Sequence, residues 1–326
     1  MKVLGLGNAL VDIVTRIDDD AILERLNFPK GSMQLVDAAT SASIGESLKG
    51  FESAMSPGGS AANTIHGLGM MGVQTGFLGR TGNDKIGRFF EDSMREVGVV
   101  PVVLSSSSPS GIARAIVSPD GERTFATFLG AAAEIQADDI KASMFRGYDF
   151  CYIEGYLISN RELFAKAISL AKQVKAKIVL DLASYNVVDE NRDFLVNLLP
   201  YADIVFANEE EARSLTGMEP EDALDFIASK VDIAVVKVGK RGSLARRGKE
   251  KVTISANKIN VIDTTGAGDM YAAGFIAGLI QNKTLEQCTK YGSILAENII
   301  QVVGAKMDAA RWKKILAELN AVSLEP

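Results

Sequence analysis

Histidine is nearly missing from this chain: among 326 residues, His66 stands alone. A Ser-His-Asp triad could use only that residue, and a metal centre built from several histidines is excluded. His66 sits amid apolar and small residues of a predicted helix, which reads as a packing position. Proton transfer must then fall to carboxylates, lysines or tyrosines. Cysteine is almost as scarce. Cys151 and Cys288 lie far apart, show no metal-type spacing and give no disulfide framework, so a reducing cytoplasm is the expected setting. Long apolar runs are lacking too. The most apolar stretch, Met270 to Ile280, is too short to span a bilayer and rich in Gly and Ala. The amino-terminal segment reaches Asp12 before a signal-peptide core could be completed. Nor is there a surplus of positive charge: the net charge is −6, which disfavours broad phosphate neutralisation. Neither a nucleic acid nor a membrane is an expected partner.

What is present is an ordinary globular mixture, 47% apolar and 23% charged, with ample material for a core. The length suits one large α/β domain with an added subdomain, or two ordinary domains. From about residue 140 the pattern alternates. Ile178–Leu180, Ile204–Phe206 and Ile233–Val236 read as buried strands, with helices at Glu162–Val174, Glu209–Leu215 and Asp222–Ser229 between them. Such alternation predicts a parallel sheet covered by helices on both faces. Beyond Gly266 the chain reads as helical: Gly268–Ile280, Leu285–Val302 and Ala309–Leu319. Near the start, Val3–Leu6 is a buried strand, and the helices Ala61–Met71 and Lys85–Val97 surround the strand Gln74–Leu78. Two pieces break this rhythm, Asp12–Val36 and Val99–Phe128. Their alternating segments, such as Ile112–Val117, fit strands with one wet face. They are expected to form a small β-sheet lid over the carboxyl edge of the main sheet.

The strongest chemical signal is Asp263-Thr264-Thr265-Gly266-Ala267-Gly268-Asp269, directly before a helix. Small residues there leave backbone N–H groups exposed at the positive end of the helix dipole, where phosphate oxygens bind. Asp269, in the first turn, stands where it could take a proton from an attacking hydroxyl, and phosphoryl transfer needs little more. A helix-capping loop without function is the competing reading, and two acids flanking Gly-Ala-Gly argue against it. Pro57-Gly58-Gly59-Ser60-Ala61-Ala62-Asn63 also opens a helix. Its glycines allow close backbone approach, and Asn63 offers a donor and an acceptor to hydroxyls. Alone, Gly-Gly-Ser would be only a turn. At the end of the first strand, Asn8 and Asp12 could bind vicinal hydroxyls. The run Lys237 to Lys251 is basic; it reads as a solvated hairpin, with a second reading that sets part of it beside a phosphorylated ligand. Two familiar nucleotide motifs are absent. Gly5-Leu6-Gly7 is followed by Leu10 where a dinucleotide fingerprint needs its third glycine, and no G-x-x-x-x-G-K-[ST] run exists.

These pieces resemble the ribokinase, or PfkB, carbohydrate kinase family over nearly the whole chain. Gly58–Asn63 with Gly79 beyond it matches one family signature and Asp263–Asp269 the other. Gly82-Asn83-Asp84-Lys85-Ile86-Gly87 matches a recurrent segment, and Asn208-Glu209-Glu210-Glu211 matches the N-x-x-E element. The resemblance implies an α/β, ribokinase-like fold: one kinase domain over residues 1–326, a central mostly parallel sheet flanked by helices, and lid segments near 12–36 and 99–128. It implies ATP and Mg²⁺, with Asp269 as base and Gly266, Ala267 and Gly268 as an anion hole. Asn208 and Glu211 would help hold Mg²⁺ through water. Lys237, Gly239 and Gly242 resemble the G-x-x-G turn beside ATP, where Thr264 and Thr265 also fall. Gly58, Gly59, Asn63 and Asp12 match acceptor-binding positions. Some members bind K⁺ near the Asp-Thr-Thr segment; these residues alone do not establish that site.

Within the family, Gly7–Asp12 looks most like the start of adenosine kinases, and Gly58-Gly59-Ser60 replaces the Gly-Gly-Lys common in ribokinases. Asp181-Leu182-Ala183-Ser184-Tyr185 lacks the Asn and Arg of the D-x-N-x-R found in fructokinase-like members. Leu10, Leu35, Leu129 and Tyr156 are candidates to hold a purine, though each apolar residue read singly is a core position. A nucleoside, adenosine first, is the expected acceptor, with a free monosaccharide as the alternative. A lid edge could pair with a second copy by strand addition, so monomer and homodimer both stay open.

Overall fold

The computed structural model describes residues 1–324. Fourteen strands form two sheets. The large one runs β14 (Glu250–Ile254), β13 (Ser243–Arg247), β12 (Ile233–Lys237), β11 (Ile204–Asn208), β10 (Lys177–Asp181), β9 (Phe150–Glu154), β1 (Lys2–Leu6), β5 (Gln74–Gly82) and β6 (Val99–Ser106). All neighbours from β6 to β12 are parallel, and β13 and β14 add an antiparallel hairpin at one edge. The strands are near-continuous apolar runs because both faces are covered. Their two-residue period still sorts the side chains. Cys151, Ile153, Ile178 and Leu180 join one core layer, while Tyr152, Val179 and Phe206 join the other.

Helices Arg161–Gln173, Glu209–Thr216 and Pro220–Ala228 contribute to the first layer. The second is built around Ala267–Ile280, the apolar stretch noted in the sequence. It packs so closely against Leu285–Ile299 that a Cβ on Gly274 would come within 2.4 Å of the Tyr291 carbonyl oxygen. Among the described residues no helix is long and apolar enough to cross a membrane.

The small sheet runs β3 (Met33–Leu35), β8 (Arg123–Phe128), β7 (Gly111–Val117), β2 (Leu10–Arg16) and β4 (Ser53–Gly58). One face is sealed by a separate core of Ile17, Ile22, Leu23, Phe28, Ile44, Leu48, Ile116 and Ala126. The register sets Ser56, Asp12, Ala113, Thr127 and Leu35 side by side on the opposite face. The expected lid boundaries need correction. Residues 99–106 belong to the large sheet, since the helix Lys85–Glu96 returns the chain beside β5 in parallel. Alternation reports one-sided burial, and an edge strand of either sheet satisfies it. β4 was hidden for a related reason: Ser-Pro-Gly at its end reads as a turn, yet proline is tolerated on an edge strand.

Candidate active site

Four neighbouring strands of the large sheet end on polar residues at the same edge: β9 on Glu154, β10 on Asp181, β11 on Asn208 and β12 on Lys237. Two helices open onto this edge from opposite ends of the sequence. The first, Ser60–Met70, follows Gly59, whose φ of 96° favours glycine and whose Cβ would lie 2.2 Å from the Asn8 carbonyl oxygen. The second, Ala267–Ile280, follows Gly266 at φ 77°, and no side chain caps it. The Ala267 N–H donates to the Thr264 carbonyl oxygen (3.1 Å), and the Gly268 and Asp269 N–H groups of the first turn are left for a ligand. The Lys237 ammonium lies over that turn, 3.0 Å from where a Cβ on Gly268 would stand, and pairs with Asp181 at 3.3 Å.

Asp269 is where the two helices meet. Ser60 Oγ donates to its Oδ1 (2.8 Å) and Asn63 Nδ2 to its Oδ2 (2.9 Å). Burial pushes its carboxyl up to about 6, with Asp181 adding to the rise while Asn63, Ser60 and Lys237 oppose it. Asp12 is also pushed up to about 6 by burial, against the pull of Lys306. Gly58 makes room for it, since a Cβ there would stand 2.1 Å from Asp12 Oδ1. Asn63, Asp12 and Asp269 thus share one polar pocket between the small sheet and the large one. Ala267 and Gly268 form the floor beside it.

Other expected residues are placed differently. The Asn8 backbone N–H and Nδ2 both donate to Glu154 Oε1, at 2.9 and 2.6 Å, so most of this side chain is committed inside the protein. Leu10 is buried at the root of β2 and Leu129 is half-buried next to it, close to Gly111. Leu35 is not brought against them: it is 73% exposed on the outer edge strand. Tyr156 borders the cleft in the turn after β9, its hydroxyl 3.5 Å from the Ala183 carbonyl oxygen. The basic run divides. Arg246 and Lys251 pair with Asp225 on the surface, as a solvated hairpin would, and only Lys237 turns inward. Gly239 and Gly242 shape its turn at φ 56° and 104°.

Asn208 and Glu211 cap a helix reciprocally: Asn208 Nδ2 donates to Glu211 Oε1 (2.6 Å), and Glu211 N–H to Asn208 Oδ1 (2.8 Å). Burial raises the Glu211 carboxyl, opposed by Lys237 and reinforced by Asp181. Asp181, Glu211 and Asp269 all act on Lys237, and of the three Asp269 also acts on Lys306, an acidic cluster suited to a divalent ion. No group of three or more acidic, Cys or His ligands is close enough to cage a bare metal among the described residues. The donor set fits a hydrated Mg²⁺ held at arm's length. At the Asp-Thr-Thr segment the Asp263 carboxylate holds Arg123 (2.7 Å), Thr265 and the Gly304 N–H.

Sequence comparison supplies the family. The model for "pfkB family carbohydrate kinase" matches residues 31–311. The chain belongs to the pfkB family of carbohydrate kinases. It is similar to the 5-dehydro-2-deoxygluconokinase of Shouchella clausii, 30% identical over 284 residues that cover 81% of this chain and 85% of that one. Among solved structures, a probable sugar kinase from Rhizobium etli superimposes with a TM-score of 0.87 at 31% identity, covering 98% of both chains. The adenosine kinase of Sinorhizobium meliloti gives 0.86 at 31% identity, covering 97% of this chain and 99% of that one. This pfkB-family chain is therefore a sugar or nucleoside kinase, a phosphotransferase acting on a hydroxyl group.

Several members of the site stand outside the sequence motifs. Glu154, 1% exposed, also accepts the Ala61 N–H (2.9 Å) and is pushed up to about 7 by burial. Lys306 reaches Asn63, and Arg123 reaches from β8 to Asp263. Glu154 and Asp181 could have been found as acids that end apolar strands. Arg123 and Lys306 are ordinary surface-type residues until the chain folds.

Proposed function

We propose that this kinase transfers the γ-phosphoryl group of ATP to the 5′-hydroxyl of a nucleoside, adenosine first, with Asp269 as the base. The observation that carries the nucleoside reading is the open face of the small sheet. Asp12 shares it with Val14, Ala113, Ala115, Phe125 and Leu35 as well as Ser56 and Thr127, so a hydroxyl-binding carboxylate stands beside a largely apolar surface. A ribose at Asp12 and Asn63 would leave its base against that surface and Tyr156. A free sugar would leave the same area uncovered. Burying an aromatic base there is favourable by ~25 cal/mol per Å².

In this reading Asp269 accepts the hydroxyl proton as the new O–P bond forms and the bond to ADP breaks. The turn of Gly266, Ala267 and Gly268 forms the anion hole, with the Gly268 N–H directed at the transferring phosphoryl and the Ala267 N–H held by the Thr264 carbonyl oxygen, and Lys237 adds positive charge beside it. Thr264, Thr265, Gly239 and Gly242 border the ATP side. Asn208 and Glu211 would hold the hydrated Mg²⁺, which when bound neutralises phosphate charge. The small sheet acts as the lid, and Arg123 ties it to the loop before the helix Ala267–Ile280.

Steady-state kinetics with adenosine, inosine, ribose and fructose test the acceptor. Adenosine should exceed ribose by roughly 10²-fold in kcat/KM. Ribose or fructose matching adenosine would replace the nucleoside reading with a sugar-kinase one.

A further inference from the structure

Three consecutive residues of the loop joining Leu285–Ile299 to Ala309–Ser323 each touch a different part of the site. Gly304 N–H donates to Asp263 Oδ2 at 2.6 Å. Ala305 packs on Gly266, close enough that an added Cβ there would lie 2.9 Å from its own. Lys306 Nζ donates to Asn63 Oδ1 at 2.6 Å, and Asn63 is its only direct partner among the described residues. The loop is thus a brace behind the glycine turn, and its last residue sends a cation to the acceptor side.

We propose that Lys306 is a positioning residue: it fixes which way the Asn63 amide points, and through that amide holds Asp269 ready to accept a proton. An ammonium has donors only, so the group it touches must be the amide oxygen. That leaves Nδ2 facing Asp269 Oδ2 at 2.9 Å, while Ser60 Oγ holds Oδ1. Each carboxylate oxygen then has one donor and a lone pair to spare. Without Lys306 the amide is free to turn over and set its oxygen against Oδ2. Two acceptors face to face are tolerated only if Asp269 is protonated, which removes the base. During transfer the hydroxyl proton passes to Asp269, while Lys306 and Asn63 keep theirs.

The charges around Lys306 suit this role. Asp12 faces it from β2, Asp269 from the helix Ala267–Ile280 and His66 from the helix Ser60–Met70. Burial pulls the lysine down to about 8 while Asp12 and Asp269 hold it up. His66 is pushed down to about 2, by burial and then by Lys306, and stays neutral. The ammonium therefore lies between two carboxylates and adds no competing base.

The inference rests on Asp269 being the base, and its test keeps the two apart. Profiles of kcat/KM from about pH 5.5 to pH 9.5 are measured for wild type, K306M, K306R and D269N, with ATP, Mg²⁺ and adenosine, or fructose where adenosine gives no turnover. K306M should lose at least ~10-fold near pH 6.5 and recover part of that at higher pH, its acid limb displaced upward. K306R keeps the charge, so its acid limb should stay with wild type, and the alkaline fall of wild type near pH 8 should disappear. A loss in K306M by the same factor at every pH would reduce Lys306 to a packing role and overturn the proposal. So would an unaltered K306M profile. If K306M does not fold, an alkaline limb in K306R identical to wild type would be equally decisive against it. Normal turnover in D269N would instead sink the base assignment itself.

Discussion

Two helices open onto the same cleft from a left-handed glycine, and they spend their amino ends in opposite ways. The helix after Gly59 hands its Ala61 N–H to Glu154, a buried carboxylate of the protein itself. The helix after Gly266 has no capping side chain and the Lys237 ammonium beside its first turn. A helix start whose N–H is taken by a carboxylate of the protein is a scaffold; one whose own first-turn carboxylate, Asp269, turns away to Ser60 and Asn63 while a cation gathers beside it is a place for a ligand's phosphate. The contrast teaches that a glycine turn before a helix is not enough to define a site. What matters is whether a carboxylate of the chain accepts the helix's N–H groups.

The comparison can be broken most strongly at the residue where the helices meet. D269N keeps the size of the side chain and removes the proton acceptor, so kcat should fall at least ~10²-fold with ATP binding nearly retained. The same variant carries a stability signature. Asp269 holds its proton up to about 6 in the folded protein, against an ordinary value of 3.8, so its contribution favours folding at low pH and is lost as pH rises through 6. D269N should therefore unfold at higher temperature than wild type at pH 8, by ~1–3 kcal/mol in stability, with no difference below about pH 4. Thermal unfolding at both pH values checks this, and an equal difference at both would contradict the linkage.

The glycines separate scaffold from site. At Gly59 an alanine meets both a positive φ and the Asn8 backbone oxygen at 2.2 Å, so G59A should cost at least ~2 kcal/mol of stability. At Gly268 the new Cβ meets only the flexible end of Lys237, at 3.0 Å. G268A should keep its melting temperature and lose ~10-fold in kcat, because the displaced ammonium and narrowed turn disturb the anion hole. Denaturant unfolding beside steady-state kinetics would show whether the two costs divide this way.

The smallest effect expected is on the small sheet. Acceptor binding should slow amide exchange in 10–16 and 111–128, because the site lies beneath that sheet, and leave 99–106 unchanged as part of the large one. Protection spread equally over all three segments would contradict this division.

Much of the site was legible because its members are contiguous. Gly58–Asn63 and Gly266–Asp269 each announce a helix start with small residues and a polar group at its first turn, a local pattern that needs no partner to be read. The alternation from β9 to β12 likewise announces a covered parallel sheet. Contacts between distant segments were not legible. Leu35 joins the open face of the small sheet only through its pairing with β8, and 99–106, which alternate like lid strands, pair with β5. Alternation describes one strand's exposure and says nothing of which sheet receives it.

The sequence by itself determined the chemistry proposed for the site: a carboxylate in a helix's first turn, a glycine turn before it, and only one histidine and two cysteines, none in a catalytic pattern. Those properties reside in backbone freedom and side-chain type, which are set locally. Only the tertiary structure decided how that chemistry is supported. Glu154 reaches Asn8 and Ala61, Lys306 reaches Asn63 and Arg123 reaches Asp263 across 146, 93, 243 and 140 positions of chain. Ion pairing and burial act through space, so the charges that tune Asp269 acquire their meaning only once the sheet has brought them to one edge.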